Sequence, residues 1–215
     1  MSDPRHFGKR SSEGALRDVG ATISRVGTLI ATIRRWLRNA PDRVMHAARR
    51  PAALKRLEGT RPRTVLVLCH GNVCRSPFAA AVFARAIESM NARVSITSAG
   101  FIGPNRPPPP EALGSASRFA IDLTMHRSTL ITPGAIGSAD LVVVMSATQA
   151  RAVERTYRVR QPPLVLGDLD PGPIETRTIV DPWGGPPELF DTSYARIERC
   201  VRELALLIAS SSGAG

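Results

Sequence analysis

The sequence predicts an α/β domain built on an open parallel sheet and preceded by a basic helical extension. Two observations carry this reading. From residue 64 onward, short runs of β-branched and leucine residues alternate with longer helix-forming segments, which is the pattern of βαβ units. Before residue 64 the apolar residues recur at a helical period and the charge is lopsided. Residues 1–63 hold 15 Arg and Lys against 5 Asp and Glu, which gives 10 of the 11 net positive charges, so the remaining 152 residues are nearly neutral. A chain of 215 residues with 43% hydrophobic content fits one core of ordinary size rather than two.

Taken in order, residues 1–14 are polar and punctuated by Gly, Ser and Pro, and are expected to be disordered. From Leu16 the apolar side chains recur as Leu16, Val19, Ile23, Val26, Ile30, Ile33 and Leu37, steps of three and four that mark one stripe of a helix, with Arg17, Arg25, Arg34, Arg35 and Arg38 between them. Gly20 and Gly27 weaken that helix, so it needs a surface to lie on: its own domain, an acidic partner or an anionic membrane. A second short helix is expected after Pro41, and Arg61-Pro62-Arg63 reads as a linker. The expected division is thus an extension over 1–63, a domain over 64–209 and a flexible tail over 210–215. Val65-Leu66-Val67-Leu68 is an unbroken apolar run of the kind buried on both faces of a parallel sheet. Helix 77–90, strand 94–97, a proline-rich loop 104–110, helix 111–120, strand 141–144, helix 147–157, strand 163–166 and helix 187–209 follow. In such sheets ligands bind at the carboxyl ends of the strands.

Several function classes recede at this point. Three cysteines are an odd number for a disulfide framework and indicate a reducing compartment, so a cytoplasmic location is expected. No stretch approaches the ~20 apolar residues that span a bilayer, which leaves peripheral membrane attachment of the extension as the alternative. The N-terminus lacks a secretory signal pattern. A nucleic-acid partner is not expected, because the basic extension offers only Phe7 and Trp36 as stacking platforms.

The chemistry concentrates at the end of the first strand, where the chain reads Cys69-His70-Gly71-Asn72-Val73-Cys74-Arg75-Ser76-Pro77. A loop running from a strand end to a helix start can turn its backbone N–H groups inward and, with the positive end of the helix dipole, cradle a phosphate dianion. Gly71 is expected to supply backbone freedom and Asn72 to tolerate a left-handed conformation. The planar fork of Arg75 suits two phosphoryl oxygens. The same electropositive loop favours an attacking thiolate at Cys69, and Ser76 can donate a hydrogen bond to its sulfur. A metal site built from Cys69, His70 and Cys74 is the competing reading, but no further cysteine pair stands at suitable spacing, so a metal is not expected.

These residues closely resemble the signature of the low-molecular-weight protein tyrosine phosphatases, and the resemblance extends over about residues 64–207. Ser98-Ala99-Gly100, Met125-His126-Arg127-Ser128, Val144-Met145-Ser146 and Asp181-Pro182-Trp183-Gly184 fall in the family's order. The resemblance implies a four-stranded parallel sheet flanked by helices, a flavodoxin-like three-layer arrangement, and chemistry without metal or cofactor. It implies Cys69 as nucleophile, Arg75 as phosphate clamp, Asp181 as general acid and Asn72 and Ser76 as loop organisers, with His70, Gly71, Val73 and Cys74 completing the phosphate loop and a phosphotyrosine protein as substrate. An acid at Asp181 is also sensible chemically, because a departing phenolate-like oxygen needs a proton and hydrolysis of a phosphocysteine needs a water deprotonated. Trp183 can stack on a substrate ring from the pocket rim or pack inward. Asp168 and Asp170 read as loop acids, and Cys200 as a packing residue.

The chain departs from the family pattern at Ala80 and Ser146, where acidic residues are common, and after Gly100, where Phe101 and the prolines replace a later aromatic. Three rival readings share the motif. Arsenate reduction needs relay cysteines, and only Cys74 and Cys200 remain. Arginine-phosphatase specificity is associated in the family with threonine where this chain has Val73. A phosphopeptide-binding module without catalysis would have little use for both Cys69 and Asp181.

Overall fold

The protein is described by a computed structural model, which covers the backbone of residues 10–212 and the side chains of 28–34 and 36–210. The disorder expected for residues 1–9, the end of the tail at 213–215, and the side chains of Leu16, Val19, Ile23 and Val26 lie outside the described residues. The chain divides into two compact units, one ending at Pro41 and one beginning at Asp42.

A single helix α1, Arg10–Leu57, takes the place of the helix, break and second helix expected around Pro41, and it also covers residues 10–14 of the segment expected to be disordered. Proline removes one amide donor and its ring crowds the carbonyl four residues back, so the helix runs through Pro41 at a cost of about 3 kcal/mol. In the first unit, Leu29, Ile30, Ile33 and Leu37 are all exposed. In the second unit, the last turns of α1 belong to the body of the domain: Ala53 and Leu57 are buried in its core, and Arg50 pairs with Glu203.

The domain holds the expected sheet. Strands β1 (Thr64–Cys69), β2 (Ser95–Gly100), β3 (Leu141–Val144) and β4 (Leu164–Val165) are all parallel, in the order β2-β1-β3-β4. Alternation along β1 sends Val65, Val67 and Cys69 to one face and Leu66 and Leu68 to the other, and both faces are buried. The first face packs under α2 (Arg75–Ser89), α3 (Pro110–Arg118) and α6 (Pro187–Ser212), whose contributions include Phe78, Phe83, Ala112, Tyr194 and Ile197. The second face packs under α4 (Pro133–Ser138) and α5 (Ala147–Thr156) through Ile136 and Val153. This is the three-layer arrangement expected.

The differences lie at element ends. β2 extends to Gly100, because Ser98-Ala99-Gly100 pairs with the end of β1. β4 shortens to two residues because the chain tightens into a 3₁₀ turn over Leu166–Leu169. Helix α4 was not anticipated; it is one short turn and a half, opened by Pro133 and capped by Thr132, whose side chain accepts from the Ala135 N–H. The closing helix continues to Ser212 instead of releasing a tail at residue 210. Because strand order reverses direction of travel around β1 and β3, the carboxyl end of β1 is the switch point where a crevice opens.

Candidate active site

The crevice at the end of β1 is a pocket of about 230 Å³ lined by Cys69, His70, Gly71, Val73, Cys74 and Arg75 together with Ile102, Arg106, Asp181 and Trp183. That is below the ~300–1,000 Å³ typical of drug-sized sites, so it suits one compact group rather than an extended ligand. Helix α2 begins at Arg75 and has no side-chain cap, and with Pro77 lacking an N–H and Phe78 donating to the Cys74 carbonyl, the N–H groups of Arg75 and Ser76 are the ones its first turn can offer an anion.

Cys69 ends β1 and is buried, and two donors point at its sulfur: the Asn72 N–H at 3.3 Å and the Ser76 hydroxyl at 3.1 Å. Both groups donate, so the sulfur serves as a hydrogen-bond acceptor beside the start of α2. Asn72 is fully buried and left-handed, with φ of 50°, as its residue type suggested. Its amide nitrogen donates to Ser76 Oγ at 2.9 Å and Ser98 Oγ at 2.8 Å, and its amide oxygen accepts from the Thr129 N–H at 2.8 Å. The loop is further tied by His126 Nε2, which donates to the Asn72 carbonyl at 2.8 Å, and by the Tyr194 hydroxyl, which donates to the Cys74 carbonyl at 3.2 Å.

The role expected of Gly71 needs correction. Its φ is not positive, and a Cβ there would lie 2.8 Å from Arg106 Nη2. The glycine therefore admits the Arg106 side chain, which donates to the Gly71 carbonyl at 3.0 Å and the Gly103 carbonyl at 3.0 Å. Gly100 serves a parallel purpose, since a Cβ would meet the Asn72 nitrogen at 2.8 Å.

Arg75 is buried, and its Nη1 donates to the Ile179 carbonyl at 3.1 Å. Its Nη2 pairs with Asp181, although 106 positions separate them in sequence, while Nε is buried without a hydrogen-bond partner. The Asp181 side chain is 41% exposed at the pocket mouth. Trp183 is 56% exposed on the rim, so it does not pack inward. His70 is exposed and Val73 buried, and both line the pocket. Burial, reinforced by the nearby charges of Cys69 and Asp181, pushes the Cys74 thiol up to about 12, and burial does the same to Cys200. Asp168 and Asp170, read as loop acids, are both buried, Asp168 held by Arg177 and Asp170 by Arg196 and Arg199. Ser146, noted as a departure, caps α5 by accepting from the Gln149 N–H at 3.2 Å.

The family model described as low molecular weight phosphotyrosine protein phosphatase matches residues 64–212. The chain belongs to this family. A Ralstonia solanacearum relative named "Probable low molecular weight protein-tyrosine-phosphatase EpsP" is 33% identical over 141 residues, covering 65% of this chain and 91% of that protein. A Bacillus subtilis relative named protein-arginine-phosphatase is 30% identical over 143 residues, covering 66% and 93%. Among solved structures, a Bacillus subtilis YwlE mutant matches with a TM-score of 0.61 at 28% identity, over 66% of this chain and 96% of that one. The tyrosine phosphatase Wzb from Escherichia coli K30, solved with sulphate, matches with a TM-score of 0.61 at 26% identity, over 67% and 97%. The family match begins at β1, so this low molecular weight phosphatase carries α1 as a segment outside it.

In the sequence Ser98 and His126 stand only as landmarks of the resemblance; the tertiary structure shows them holding Asn72. Arg106, Ile102, Thr129 and Tyr194 carry no sequence signal as site residues; only the glycines at 71 and 100 leave room for something to approach the loop closely.

Proposed function

We propose that this phosphatase hydrolyses phosphotyrosine in proteins through a phosphocysteine intermediate. The observation that carries the reading is the convergence of Cys69, Arg75 and Asp181 on one pocket. The incoming phosphate dianion replaces Asp181 as the partner of Arg75 and takes up the unused Nε donor and the N–H groups at the start of α2. Asp181, displaced from Arg75, takes up a proton from solvent; Cys69 Sγ attacks phosphorus, an S–P bond forms, the bond to the aryl oxygen breaks, and the Asp181 carboxyl gives that oxygen its proton. Water then attacks phosphorus and passes its proton to Asp181, releasing phosphate. The departing thiolate is received by the hydrogen bonds from Ser76 and Asn72.

An aryl substrate is favoured over phosphoarginine because Val73 presents a hydrocarbon surface in the pocket and Trp183 offers a flat face at the rim. The arsenate route is disfavoured because its relay would fall to Cys74 and Cys200, both buried. The test is hydrolysis of para-nitrophenyl phosphate and of phosphotyrosine and phosphoarginine peptides by wild type, Cys69→Ser and Asp181→Ala. Phosphotyrosine is expected to be preferred, Cys69→Ser to be inactive, and Asp181→Ala to lose about 100-fold or more. Turnover by Cys69→Ser at the wild-type rate would sink the mechanism.

For the extension we propose a cytoplasmic protein attached peripherally to anionic membrane. Between Asp18 and Asp42 the chain has four arginines and no acidic residue, and Leu29, Ile30, Ile33 and Leu37 stand exposed on α1. No described helix is long and apolar enough to cross a membrane. Co-sedimentation with phosphatidylglycerol vesicles, weakened by salt and by Ile33→Glu and absent with phosphatidylcholine, is expected; equal recovery on both lipids would refute it.

A further inference from the structure

We infer that the last turns of α1, outside the family match, hold the segment that carries Asp181, and that Asp42 is the positioning residue. The inference rests on Asp181 being the general acid. Asp42 Oδ2 accepts from the Arg177 N–H at 2.9 Å and from Thr176 Oγ1 at 3.2 Å, and its Oδ1 accepts from Arg49 at 2.8 Å. The carboxylate is thus fixed by a neighbour on its own helix while it grips the backbone four residues before Asp181.

From Arg177 onward every residue to the acid is anchored. The Arg177 guanidinium is bidentate on buried Asp168, at 2.8 and 2.7 Å. Its carbonyl lies so close to Gly167 that no Cβ would fit between them. The Thr178 carbonyl accepts from Arg196 at 2.9 Å, the Ile179 N–H donates to the Met145 carbonyl at 2.9 Å, and the Ile179 carbonyl accepts from Arg75. The Val180 carbonyl accepts from Ser193 at 2.9 Å, and Asp181 comes next. A second grip from α1 secures the start of the segment, where His46 Nε2 donates to the carbonyl of buried Asp170 at 2.9 Å.

The backbone from 170 to 181 is therefore held at its start and its middle by a helix that the family match does not include. A general acid works only within hydrogen-bond reach of the leaving oxygen, so the spread of Asp181 positions matters more when the leaving group needs its proton more. Asp42 narrows that spread without touching substrate.

The experiment measures kcat and KM of the full chain on phenyl phosphate, a poor leaving group, and on 2,4-dinitrophenyl phosphate, a good one. Asp42→Ala is expected to lower kcat on phenyl phosphate about tenfold, to leave the dinitrophenyl ester within about twofold, and to leave KM near wild type. Asp42→Asn keeps one acceptor oxygen and should show the same pattern at about threefold; it decides the question where the alanine variant does not fold. In an Asp181→Asn background, Asp42→Ala should cost nothing further on phenyl phosphate. Equal losses on both esters, no loss in a folded variant, or a loss that persists in the Asp181→Asn background would overturn the inference. Should Asp181→Asn itself slow both esters equally, the acid assignment and this inference fall together; a selective loss in Asp181→Asn with none in Asp42→Asn removes this inference alone.

Discussion

Replacing Asn72 by alanine tests whether one buried amide organises the phosphate loop. The substitution removes three well-formed hydrogen bonds, to Ser76 Oγ, Ser98 Oγ and the Thr129 N–H, at 2.9, 2.8 and 2.8 Å. At about 1 kcal/mol net for each, the loss is about 3 kcal/mol. Alanine must also adopt the left-handed φ of 50° that asparagine accepts readily, which costs roughly 1–2 kcal/mol. The total, about 4–5 kcal/mol, is a large share of the ~5–15 kcal/mol that ordinarily separates folded from unfolded protein. For a domain of this size the melting temperature should drop by about 8–20 °C. Thermal and urea unfolding without phosphate measure this directly, and a fall below about 1 kcal/mol would refute the claim that these bonds hold the loop. Asn72→Asp sharpens the test: it keeps the acceptor for Thr129 but replaces the donor shared by two serines with a buried carboxylate behind the loop. It should therefore lose activity out of proportion to stability.

Three further outcomes follow from the same geometry. Gly167→Ala should destabilise the domain and slow catalysis together, because the added Cβ drives the Arg177 carbonyl away from the 3₁₀ turn; unchanged melting with unchanged kcat would contradict the packing. Iodoacetamide at about neutral pH should leave Cys74 and Cys200 unmodified in folded protein, since both thiols are buried and pushed up to about 12; mass mapping that finds either one labelled would refute this. Stability should fall in acid for a defined reason. Burial alone would raise the Asp170 carboxyl, but hydrogen bonds from Arg199, the Gly172 N–H and Arg196 hold it below its ordinary 3.8, and bonds from Arg177 and Arg49 do the same for Asp42. The folded state then binds these protons less readily than the unfolded chain, so the stabilisation present above 3.8 is lost as pH drops through that value and below. A melting temperature flat down to about pH 2 would contradict it.

The sequence by itself determined the layering and the chemistry-bearing loop. The run Val65 to Leu68 could only be a strand buried on both faces, and a cysteine, an arginine and a helix start in one nine-residue stretch leave few other uses. Such features are local, and their meaning does not depend on where distant residues go. The tertiary structure alone decided what surrounds that loop. Asp181 meets Arg75 across 106 positions, and Asp168 and Asp170, which read only as loop acids, are buried against arginines of α6 and of the segment before Asp181. Gly71 looked like a turn residue and proved to be the gap through which Arg106 reaches the loop. Pro41 looked like the end of a helix, yet the residues after it continue as helix and close over the sheet through Ala53 and Leu57. In each case the residue type permits several local conformations or partners, and the choice among them is made by long-range packing and ion pairing that no local pattern encodes.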